Sequence, residues 1–453
     1  MKLFGTDGVR GKAGQFPLDA PTVFRLGAAL ARALRSDGGD VRFLVGRDTR
    51  ESGPWIEREL AAGVRSQGGT LTSAGVIPTP AIAHLTSRKG FTAGVVISAS
   101  HNPFEDNGIK VFSGTGEKFT EELERRVEAI VADKSWGQES TADGSRTDDV
   151  TIEQVDYRAD YLAHLSKILP AGQASRSMRL AIDCANGATT TVAPQLFESL
   201  GIETHCVGVQ PDGRNINLNC GSTAPALLAR TVVEGGYQLG VAFDGDGDRA
   251  IFVDARGKVV DGDAVMLLCA KQMMREGRLA DNTLVATVMS NIGLELALRD
   301  AGIGIVRCAV GDKYVMEEMT RRGLSLGGEQ SGHVIFSDHL FTGDGLATAL
   351  NVLRTMASTG RGLGDLASEL TTFPQVLLNV RVSERVDLAT VPEVVSVMSA
   401  VESKLAGQGR LLVRYSGTEP LLRVMLEGRD EGDIRRWGQE IIDAVRARGI
   451  ALT

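Results

Sequence analysis

Residues 239–254, with the sequence LGVAFDGDGDRAIFVD, contain two apolar runs joined by a short acidic loop. Each run has the length and composition of a buried strand. The loop holds three aspartates at alternate positions, with glycines that let the backbone curl. The segment predicts a strand that ends in a polar loop, which is where ligands bind in α/β sheets.

The same arrangement recurs along the chain. Apolar runs that end in small or polar residues also occur at VRFLVG (41–46), AGVVIS (93–98) and MRLAID (178–183). They alternate with segments of helical periodicity, among them residues 18–34 and 119–133. This alternation favours an α/β fold with largely parallel or mixed sheets.

The last part of the chain has a different pattern. Residues 376–382, 409–416 and 421–428 alternate like strands, and an amphipathic helix is predicted from Glu431 to Arg448. We therefore predict three similar α/β domains with mixed sheets and a smaller α+β C-terminal domain, arranged around a central cleft.

A polar stretch at residues 134–150 marks the first domain boundary. Residues 324–336, LSLGGEQSGHVIF, are predicted as a strand of the third domain. The predicted domains are residues 1–148, 149–254, 255–368 and 369–453.

Composition and charge exclude several classes of protein. The formal net charge of -8 and the lack of a basic run argue against nonspecific binding to nucleic acid. The five cysteines are scattered without a CxxC pair, which indicates a reducing compartment. The start lacks the layout of a signal peptide, and no stretch approaches the length of a membrane span. We therefore expect a cytoplasmic protein that binds neither nucleic acid nor membrane.

The acidic loop (residues 244–249, DGDGDR) carries the strongest chemical signal. Asp244, Asp246 and Asp248 can turn their oxygens onto one hard cation, for which Mg²⁺ is the natural candidate. A calcium EF-hand is excluded, because Arg249 stands where that loop needs glycine and Ala255 where it needs glutamate. An Asp/Gly turn is the alternative, but three unpaired carboxylates would repel one another.

The serine loop (residues 98–103, SASHNP) also follows a predicted strand. Ser100 is well exposed for nucleophilic work there, while Pro103 restricts Asn102 and fixes the loop. The serine needs a cation that polarises the phosphoryl oxygens and a proton carrier such as Lys110 or a histidine. Taken alone, the segment fits a structural turn equally well.

Two further loops combine polar groups. The sugar loop (residues 328–333, GEQSGH) offers a carboxylate, an amide, a hydroxyl and an imidazole, which suit vicinal sugar hydroxyls. The phosphate loop (residues 414–420, RYSGTEP), together with Arg423, offers backbone N–H groups, hydroxyls and guanidinium groups, which suit a phosphate dianion. Each also fits a polar turn between strands.

Arginines near the amino terminus are weaker candidates. Arg10 lies in TDGVRG (6–11), and Arg47 and Arg50 lie in GRDTR (46–50). They either face a substrate phosphate or form surface salt bridges, and the second outcome is the commoner one.

Together SASHNP, DGDGDR, GEQSGH and RYSGTEP, in this order, resemble the α-D-phosphohexomutase family over essentially the whole chain. Any one motif is weak, but four in register are highly specific. The opening FGTDGVRG (4–11), the GGEQSGH form of the sugar loop and TGDG (342–345) are most similar to members that act on glucosamine phosphates.

The resemblance implies a role for each motif. Ser100 would be the phosphorylated serine, and its phosphoryl oxygen would join Asp244, Asp246 and Asp248 around Mg²⁺. The other implied roles fall into three groups. Glu329 and Ser331 would contact sugar hydroxyls, while Lys110, Arg249 and His333 would surround the transferring group, with their acid and base roles open. The nonreacting phosphate would bind to Arg414, Ser416, Gly417, Thr418 and Arg423.

The implied reaction converts glucosamine 6-phosphate into glucosamine 1-phosphate through a 1,6-bisphosphate, which supplies UDP-N-acetylglucosamine and cell-wall precursors. The expected partners are the hexosamine phosphate and its bisphosphate. At Lys313, members of the family usually carry arginine, and a lysine loses the fork that grips phosphate. The departure weakens the case for a phosphate contact at this position.

Several alternatives stay open. No residue is dedicated by its chemistry to a 2-amino group, so glucose and mannose phosphates are alternative substrates. An aspartyl phosphatase with Asp244 as nucleophile is a rival, although Asp248 stands where that motif needs Thr or Val. A noncatalytic sugar-phosphate binder is a second rival, but it would need no metal triad. The oligomeric state is open, with a homodimer as the candidate.

Overall fold

The computed structural model describes residues 2–5, 7–35, 40–133, 135, 150–169, 178–416 and 420–451. Gly417 and Thr418, the predicted boundary at 148/149 and most of the polar stretch 134–150 lie outside these residues. The chain divides into two compact units. The larger comprises Met1–Met289 and Ile305–Ser368, and the smaller comprises Ser290–Gly304 and Glu369–Thr453.

Three sheets with flanking helices form the larger unit. The first sheet contains β1 (Val9–Lys12), β2 (Arg42–Arg47), β3 (Thr70–Val76), β4 (Ala93–Ile97), β5 (Asp106–Ser113) and β6 (Glu153–Gln154). The second contains β7 (Arg179–Asp183), β8 (Glu203–Val207), β9 (Leu239–Phe243), β10 (Ala250–Asp254) and β11 (Val259–Val260). The third contains β12 (Thr283–Thr287), β13 (Gly304–Cys308), β14 (Leu326–Gly328) and β15 (Val334–Phe336).

The helices around these sheets follow the strands along the chain. They are α1 (Ala20–Leu34), α2 (Gly53–Ser66), α3 (Thr79–Arg88), α4 (Glu121–Ala132), α5 (Arg158–Leu165), α6 (Ala193–Ser199), α7 (Ala226–Gly235), α8 (Gly262–Arg275), α9 (Ile292–Asp300, in the smaller unit), α10 (Asp312–Arg322), α11 (Gly345–Thr359) and α12 (Leu363–Ala367). Aspartates cap several of them: Asp19, Asp261 and Asp344 each accept a hydrogen bond from a backbone N–H of the first turn.

The sheets are mixed, as predicted. The first has the order β1-β5-β4-β2-β3-β6, with β2 parallel to β3 and β4 but β4 antiparallel to β5. The second has the order β11-β10-β9-β7-β8, and the third β13-β12-β14-β15. The central strand β4 is buried at every residue, which explains why AGVVI is apolar throughout instead of alternating. β6 pairs with β3 of the first sheet, although it follows the predicted boundary at 148/149.

One predicted strand is wrong. Residues 324–336 form the antiparallel hairpin of β14 and β15 instead of one strand, and the turn carries Glu329–His333. Gly332 has φ 91°, a conformation that favours glycine and that turns the chain back. The turn places the sugar loop at one end of the sheet.

The smaller unit has the α+β composition predicted for the C-terminal part of the chain, and it also includes Ser290–Gly304, which was predicted to belong to the third domain. Its antiparallel sheet has the order β16-β18-β17, formed by β16 (Gln375–Arg381), β17 (Arg410–Tyr415) and β18 (Leu421–Glu427). Its other helices are α13 (Pro392–Leu405) and α14 (Glu431–Ala447), and the second confirms the predicted terminal helix. The apolar faces of the sheet and these helices form one buried core, whose fully buried members include Val394, Val424 and Ile441. Among the described residues, no helix combines the length and the apolar character that a membrane crossing requires.

Candidate active site

A cleft of about 790 Å³ opens in the larger unit where loops of its three sheets meet. The serine loop follows β4, the acidic loop follows β9, and the sugar loop joins β14 to β15. His101, Asp248, Arg249, Glu329 and Ser331 all line the cleft. Three of the four predicted loops therefore face one cavity.

Ser100 touches the acidic loop. Its Oγ donates a short hydrogen bond to Oδ2 of Asp244, and Nδ1 of His101 lies 3.2 Å from the same Oγ. The exposure predicted for Ser100 is wrong, because its side chain is buried against the acidic loop. Ser100 has φ 53°, which is strained for a residue with a side chain. Its backbone N–H donates to Oγ of Ser98 at 2.9 Å. The loop thus holds the hydroxyl against a carboxylate in a conformation that the surroundings must maintain.

The three aspartates of the acidic loop form a compact oxygen cluster. One carboxylate oxygen of each lies within 4.8 Å of the others, and all three side chains are buried. Oδ1 of Asp246 and Oδ1 of Asp248 have no hydrogen-bond partner among the described residues. Burial, reinforced by the charges of Asp248 and Asp246, raises the pKa of Asp244 well above its ordinary value. Orphaned oxygens and mutual repulsion in one place are what a bound cation would relieve, so the cluster fits a metal ion.

Lys110 provides the nearest fixed positive charge. Its Nζ is buried and lies 2.8 Å from Asp246, 3.2 Å from Asp248 and 3.1 Å from Asp7. Burial opposes the charge of Lys110, but these carboxylates outweigh it and raise the pKa well above the ordinary value. The surrounding carboxylates therefore favour the charged form of Lys110.

A chain of polar contacts extends from Asp248 through His333 to Asp312 and Asp7. Nδ1 of His333 lies 3.7 Å from Asp248, and its Nε2 lies 3.6 Å from Asp312. Lys118 joins Asp312 to Asp7, with 2.6 Å between Nζ and Oδ1 of Asp7. Through these pairs, residues of the first and third sheets are held around the acidic loop.

The sugar loop presents the groups that the sequence predicted. Oε1 of Glu329 accepts a hydrogen bond of 3.2 Å from the backbone N–H of Gly311, and Ser331 Oγ lies 3.5 Å from Oε2. Beside them, Gln330 donates to Oδ2 of Asp261 at 3.1 Å. The carboxylate and hydroxyl are thus held at the cleft wall by neighbouring groups.

Arg50 has a role that the sequence did not reveal. The side chain is fully buried, and Nε pairs with Asp48 at 2.9 Å. Its guanidinium donates to the backbone carbonyls of Ser100 (3.0 Å), Asn102 (2.9 Å) and Pro103. Arg50 therefore supports the serine loop from behind and contacts neither solvent nor the cleft. The GRDTR segment marked Arg50 as a candidate residue, but it did not indicate that the side chain lies buried behind the serine loop.

The two other weak candidates, Arg47 and Arg10, have different surroundings. Arg47 pairs with Glu57 at 3.2 Å, which is the salt bridge expected as the common outcome, although Glu57 is buried. Arg10 pairs with Asp7 and lines the cleft. Thr79, which sequence reasoning missed, donates from Oγ1 to Oδ2 of Asp246 at 2.6 Å.

The contacts of Lys313 do not favour a role in phosphate binding. Its Nζ lies 3.5 Å from Glu121 and 3.6 Å from Glu124, both on α4. The neighbouring Asp312 lines the cleft, whereas Lys313 lines a separate cavity beside α4. The lysine therefore joins α10 to α4 through two carboxylates.

The phosphate loop belongs to the smaller unit. Arg414 on β17 and Arg423 on β18 are direct cross-strand partners, and a guanidinium nitrogen of Arg423 lies 3.4 Å from Ser416 Oγ. Arg385 donates to the carbonyl oxygen of Ser416 at 2.7 Å. Two arginines thus lie directly opposite each other on neighbouring strands, one of them next to a hydroxyl, an arrangement that a bound anion would stabilise.

Family models match four stretches of the chain. Three are described as Phosphoglucomutase/phosphomannomutase, alpha/beta/alpha domains I, II and III, and the fourth as the C-terminal domain of the same family. The matched residues are 1–138, 159–257, 261–373 and 377–444. Together they span most of the chain.

Two relatives match along almost the whole length, and both are named phosphoglucosamine mutase. The protein from Geobacter sp. is 48% identical over 447 residues, which covers 99% of this chain and 98% of the relative. The protein from Syntrophotalea carbinolica is 49% identical over 447 residues and covers 98% and 97%.

Solved structures share the fold. A phosphoglucomutase/phosphomannomutase family protein from Burkholderia thailandensis superposes with a TM-score of 0.78 at 23% identity, covering 98% of this chain and 97% of that one. N-acetylphosphoglucosamine mutase from Aspergillus fumigatus, solved with GlcNAc-6P and magnesium, gives 0.64 at 18% identity, covering 99% and 96%. By its four matched domains and its close relatives, the chain belongs to the phosphoglucomutase/phosphomannomutase family, the α-D-phosphohexomutases.

Proposed function

We propose that the protein interconverts glucosamine 6-phosphate and glucosamine 1-phosphate, the reaction of a phosphoglucosamine mutase, with Ser100 as the phosphorylated residue. The observation that carries this proposal is the hydrogen bond from Ser100 Oγ to Asp244, because it joins a nucleophile on one sheet to the acidic cluster on another. The names and full-length similarity of the relatives support the same activity.

The metal of this reaction would be Mg²⁺, held by Asp244, Asp246, Asp248 and an oxygen of Ser100. The orphaned carboxylate oxygens of Asp246 and Asp248 support this ligand set, which consists of oxygens alone, as hard cations prefer. When bound, Mg²⁺ neutralises negative charge on the phosphoryl oxygens and lowers the barrier to transfer.

The proposed reaction has two transfers. In the first, the bond between phosphorus and Ser100 Oγ breaks and a bond to the C1 oxygen of glucosamine 6-phosphate forms. The C1 hydroxyl loses its proton, and the serine oxygen gains one. After the 1,6-bisphosphate turns round, Ser100 loses its proton, takes the phosphoryl group from the C6 oxygen and leaves that oxygen protonated. Glucosamine 1-phosphate is released and the phosphoserine is restored.

Side chains around Ser100 supply the remaining chemistry. The permanent charge of Lys110 offsets charge on the transferring group, and Arg249 is placed at the cleft wall for the same task. Because Asp244 is assigned to the metal, we assign the serine proton to His101, whose Nδ1 lies 3.2 Å from Oγ. His333 accepts a backbone N–H on Nε2 at 3.1 Å, so its proton lies on Nδ1, towards Asp248. We assign His333 to orienting that carboxylate.

Substrate recognition is divided between two loops. We propose that Glu329 and Ser331 bind sugar hydroxyls from the cleft wall. The nonreacting phosphate would bind to the phosphate loop, through Arg414, Arg423 and Ser416 and through the two residues that lie outside the described part of the chain, Gly417 and Thr418. The facing arginines of β17 and β18 support this assignment.

Ser100→Ala tests the function. The wild-type enzyme, treated with glucose 1,6-bisphosphate, should gain an acid-stable phosphate on Ser100 and convert glucosamine 6-phosphate, and Ser100→Ala should do neither. Ser113→Ala serves as the matched control. Ser113 lies on β5, in the sheet that carries the serine loop, and its hydroxyl is paired with Thr115. This variant should keep both the phosphorylation and the turnover. Turnover by Ser100→Ala, or an acid-labile phosphate on Asp244, would refute the proposal. A comparison of glucosamine, glucose and mannose 6-phosphates should give the highest kcat/KM for glucosamine.

A further inference from the structure

The backbone carbonyl of Ser100 is held by two side chains that come from different sheets. Arg50, from the first sheet, donates to it at 3.0 Å, and Nδ2 of Asn217, from the loop that precedes α7, donates at 2.9 Å. The same two side chains share the carbonyl of Asn102, at 2.9 Å and 3.2 Å. The guanidinium of Arg50 and the amide of Asn217 therefore fix two carbonyl groups of the serine loop, those of Ser100 and Asn102.

Asn217 is presented from a rigid position. Its backbone has φ 59°, a left-handed conformation that asparagine tolerates better than most residues. Its own N–H donates to the carbonyl of Ala185 at 2.8 Å, and the preceding Ile216 is buried. The amide therefore reaches the serine loop from a support that belongs to the second sheet.

The acidic loop approaches the same carbonyl. A β-carbon added at Gly245 would lie 2.5 Å from the carbonyl oxygen of Ser100 and 3.0 Å from Nδ2 of Asn217. Gly245 stands between the metal-binding residues Asp244 and Asp246. The serine carbonyl, the Asn217 amide and the backbone of the acidic loop are therefore packed against one another.

We propose that Asn217 is a positioning residue that docks the serine loop onto the acidic loop and thereby sets the distance between Ser100 Oγ and the aspartate cluster. Arg50 alone fixes the loop to its own sheet. Asn217 adds the link to the sheet that carries the metal ligands, and Asn217 is not among the described residues that line the cleft. This inference rests on the proposed function for its activity readout.

The proposal predicts a particular kinetic pattern. Loss of the amide should misplace Ser100, which is both the nucleophile and a proposed metal ligand. The sugar contacts of Glu329 and Ser331 should stay in place. Phosphorylation of Ser100 by glucose 1,6-bisphosphate should slow by about 10- to 100-fold, as for other residues that orient a metal ligand or a reacting group. The KM for glucosamine 6-phosphate should change by less than about twofold, because Asn217 is not among the described residues that line the cleft.

Asn217→Gly is the central variant, because glycine keeps the left-handed backbone without strain and removes only the amide. Asn219→Gly is the matched control, since Asn219 is exposed in the same loop and has φ 56°. Asn217→Asp preserves the shape but turns a carboxylate towards two carbonyl oxygens, and should be impaired at least as much as Asn217→Gly. If Asn217→Gly fails to fold, Asn217→Asp decides the question.

A second readout does not depend on turnover. Titration of each metal-free protein with Mn²⁺, followed by electron paramagnetic resonance, should show affinity weakened by about tenfold or more in both Asn217 variants and unchanged in Asn219→Gly. Equal phosphorylation rates and equal Mn²⁺ affinities in Asn217→Gly and Asn219→Gly would overturn the inference. Absence of phosphotransfer in the wild-type enzyme would instead refute the proposed function, and the Mn²⁺ comparison would still test the role of Asn217.

Discussion

The ammonium group of Lys110 lies 2.8 Å from Oδ2 of Asp246, and both side chains are buried. Lys110 comes from the first sheet and Asp246 from the second, so their ion pair joins the two sheets at the acidic cluster. Removing one partner of a buried pair leaves the other charge uncompensated, which costs about 3–5 kcal/mol. The pair therefore bears on both stability and metal binding.

We predict that Lys110→Met lowers the unfolding free energy of the metal-free protein by about 3 kcal/mol or more, and that saturating MgCl₂ recovers part of the loss. The cation would replace the missing positive charge, so the metal-induced rise in Tm should be larger in the variant than in the wild type. Thermal unfolding with and without MgCl₂ measures both effects. Lys89→Met, which removes an exposed pair with Asp160, should cost less than about 1 kcal/mol and leave the metal effect unchanged.

The facing arginines of the smaller unit predict opposite effects on stability and on binding. Like charges directly opposite on neighbouring strands destabilise a sheet, so Arg414→Ala should raise the unfolding free energy by up to about 1 kcal/mol. It should also raise the KM for glucosamine 6-phosphate by about 10- to 100-fold, since a hydrogen bond to a charged group contributes about 1.5–3 kcal/mol.

Denaturant unfolding and steady-state kinetics check the two effects of Arg414→Ala. Arg381→Ala is the control, because Arg381 is exposed on β16 and lies opposite Leu421 instead of another arginine. The control should change neither quantity. A lower stability in Arg414→Ala with an unchanged KM would mean that the arginine pair has no part in anion binding.

The sequence predicted the parts of the site but not the contacts that hold them. Asp244, Asp246 and Asp248 are neighbours along the chain. Their alternate spacing and the glycines between them were therefore enough to predict a cluster of carboxylates suited to a cation. The contact between Ser100 and Asp244 spans 144 residues, and only the resemblance of four motifs to one family brought the two together. Local patterns do not encode pairs at that separation.

The supporting residues show the limit more clearly. Asn217 meets Ser100 across 117 residues and lies in a loop with no motif, so no signal pointed to it. Arg50 lies in the GRDTR segment and was predicted to bind phosphate or to form a surface salt bridge. Its side chain is instead buried, and it donates hydrogen bonds to three backbone carbonyls of the serine loop. The strand predicted over residues 324–336 is a hairpin because Gly332 turns the chain with a positive φ, a conformation that the sequence pattern does not specify.

Lys313 should matter for stability and not for substrate affinity. Its contacts at 3.5 Å and 3.6 Å are with Glu121 and Glu124, so Lys313→Ala should lower the unfolding free energy by about 1 kcal/mol and change the KM by less than about twofold. A double-mutant cycle with Glu124→Ala measures the coupling. A KM raised by tenfold or more would instead establish a phosphate contact.

The stacked histidines His84 and His164 join α3 to α5 and make stability depend on pH. Their ring centroids lie 3.8 Å apart. Burial lowers the pKa of each from 6.5 to about 4, reinforced for His84 by the charge of Arg88 and for His164 by the neighbouring His84. Lys89 and Lys167 act in the same direction on His84, and Asp160 only partly offsets them.

The sign of the dependence follows from these pKa values. Between pH 6.5 and about 4 the unfolded chain binds protons at both histidines while the folded protein does not, so the unfolding free energy should fall as the pH falls through this window. Below about pH 4 both states are protonated, and this contribution no longer changes. The double variant His84→Phe/His164→Phe keeps two stacked rings without a titrating group, so urea unfolding at pH 7 and pH 5 should show a smaller loss of stability than in the wild type. His205→Phe, at an exposed position, is the control and should retain the wild-type loss. An equal loss in the double variant would assign the acid sensitivity to other groups.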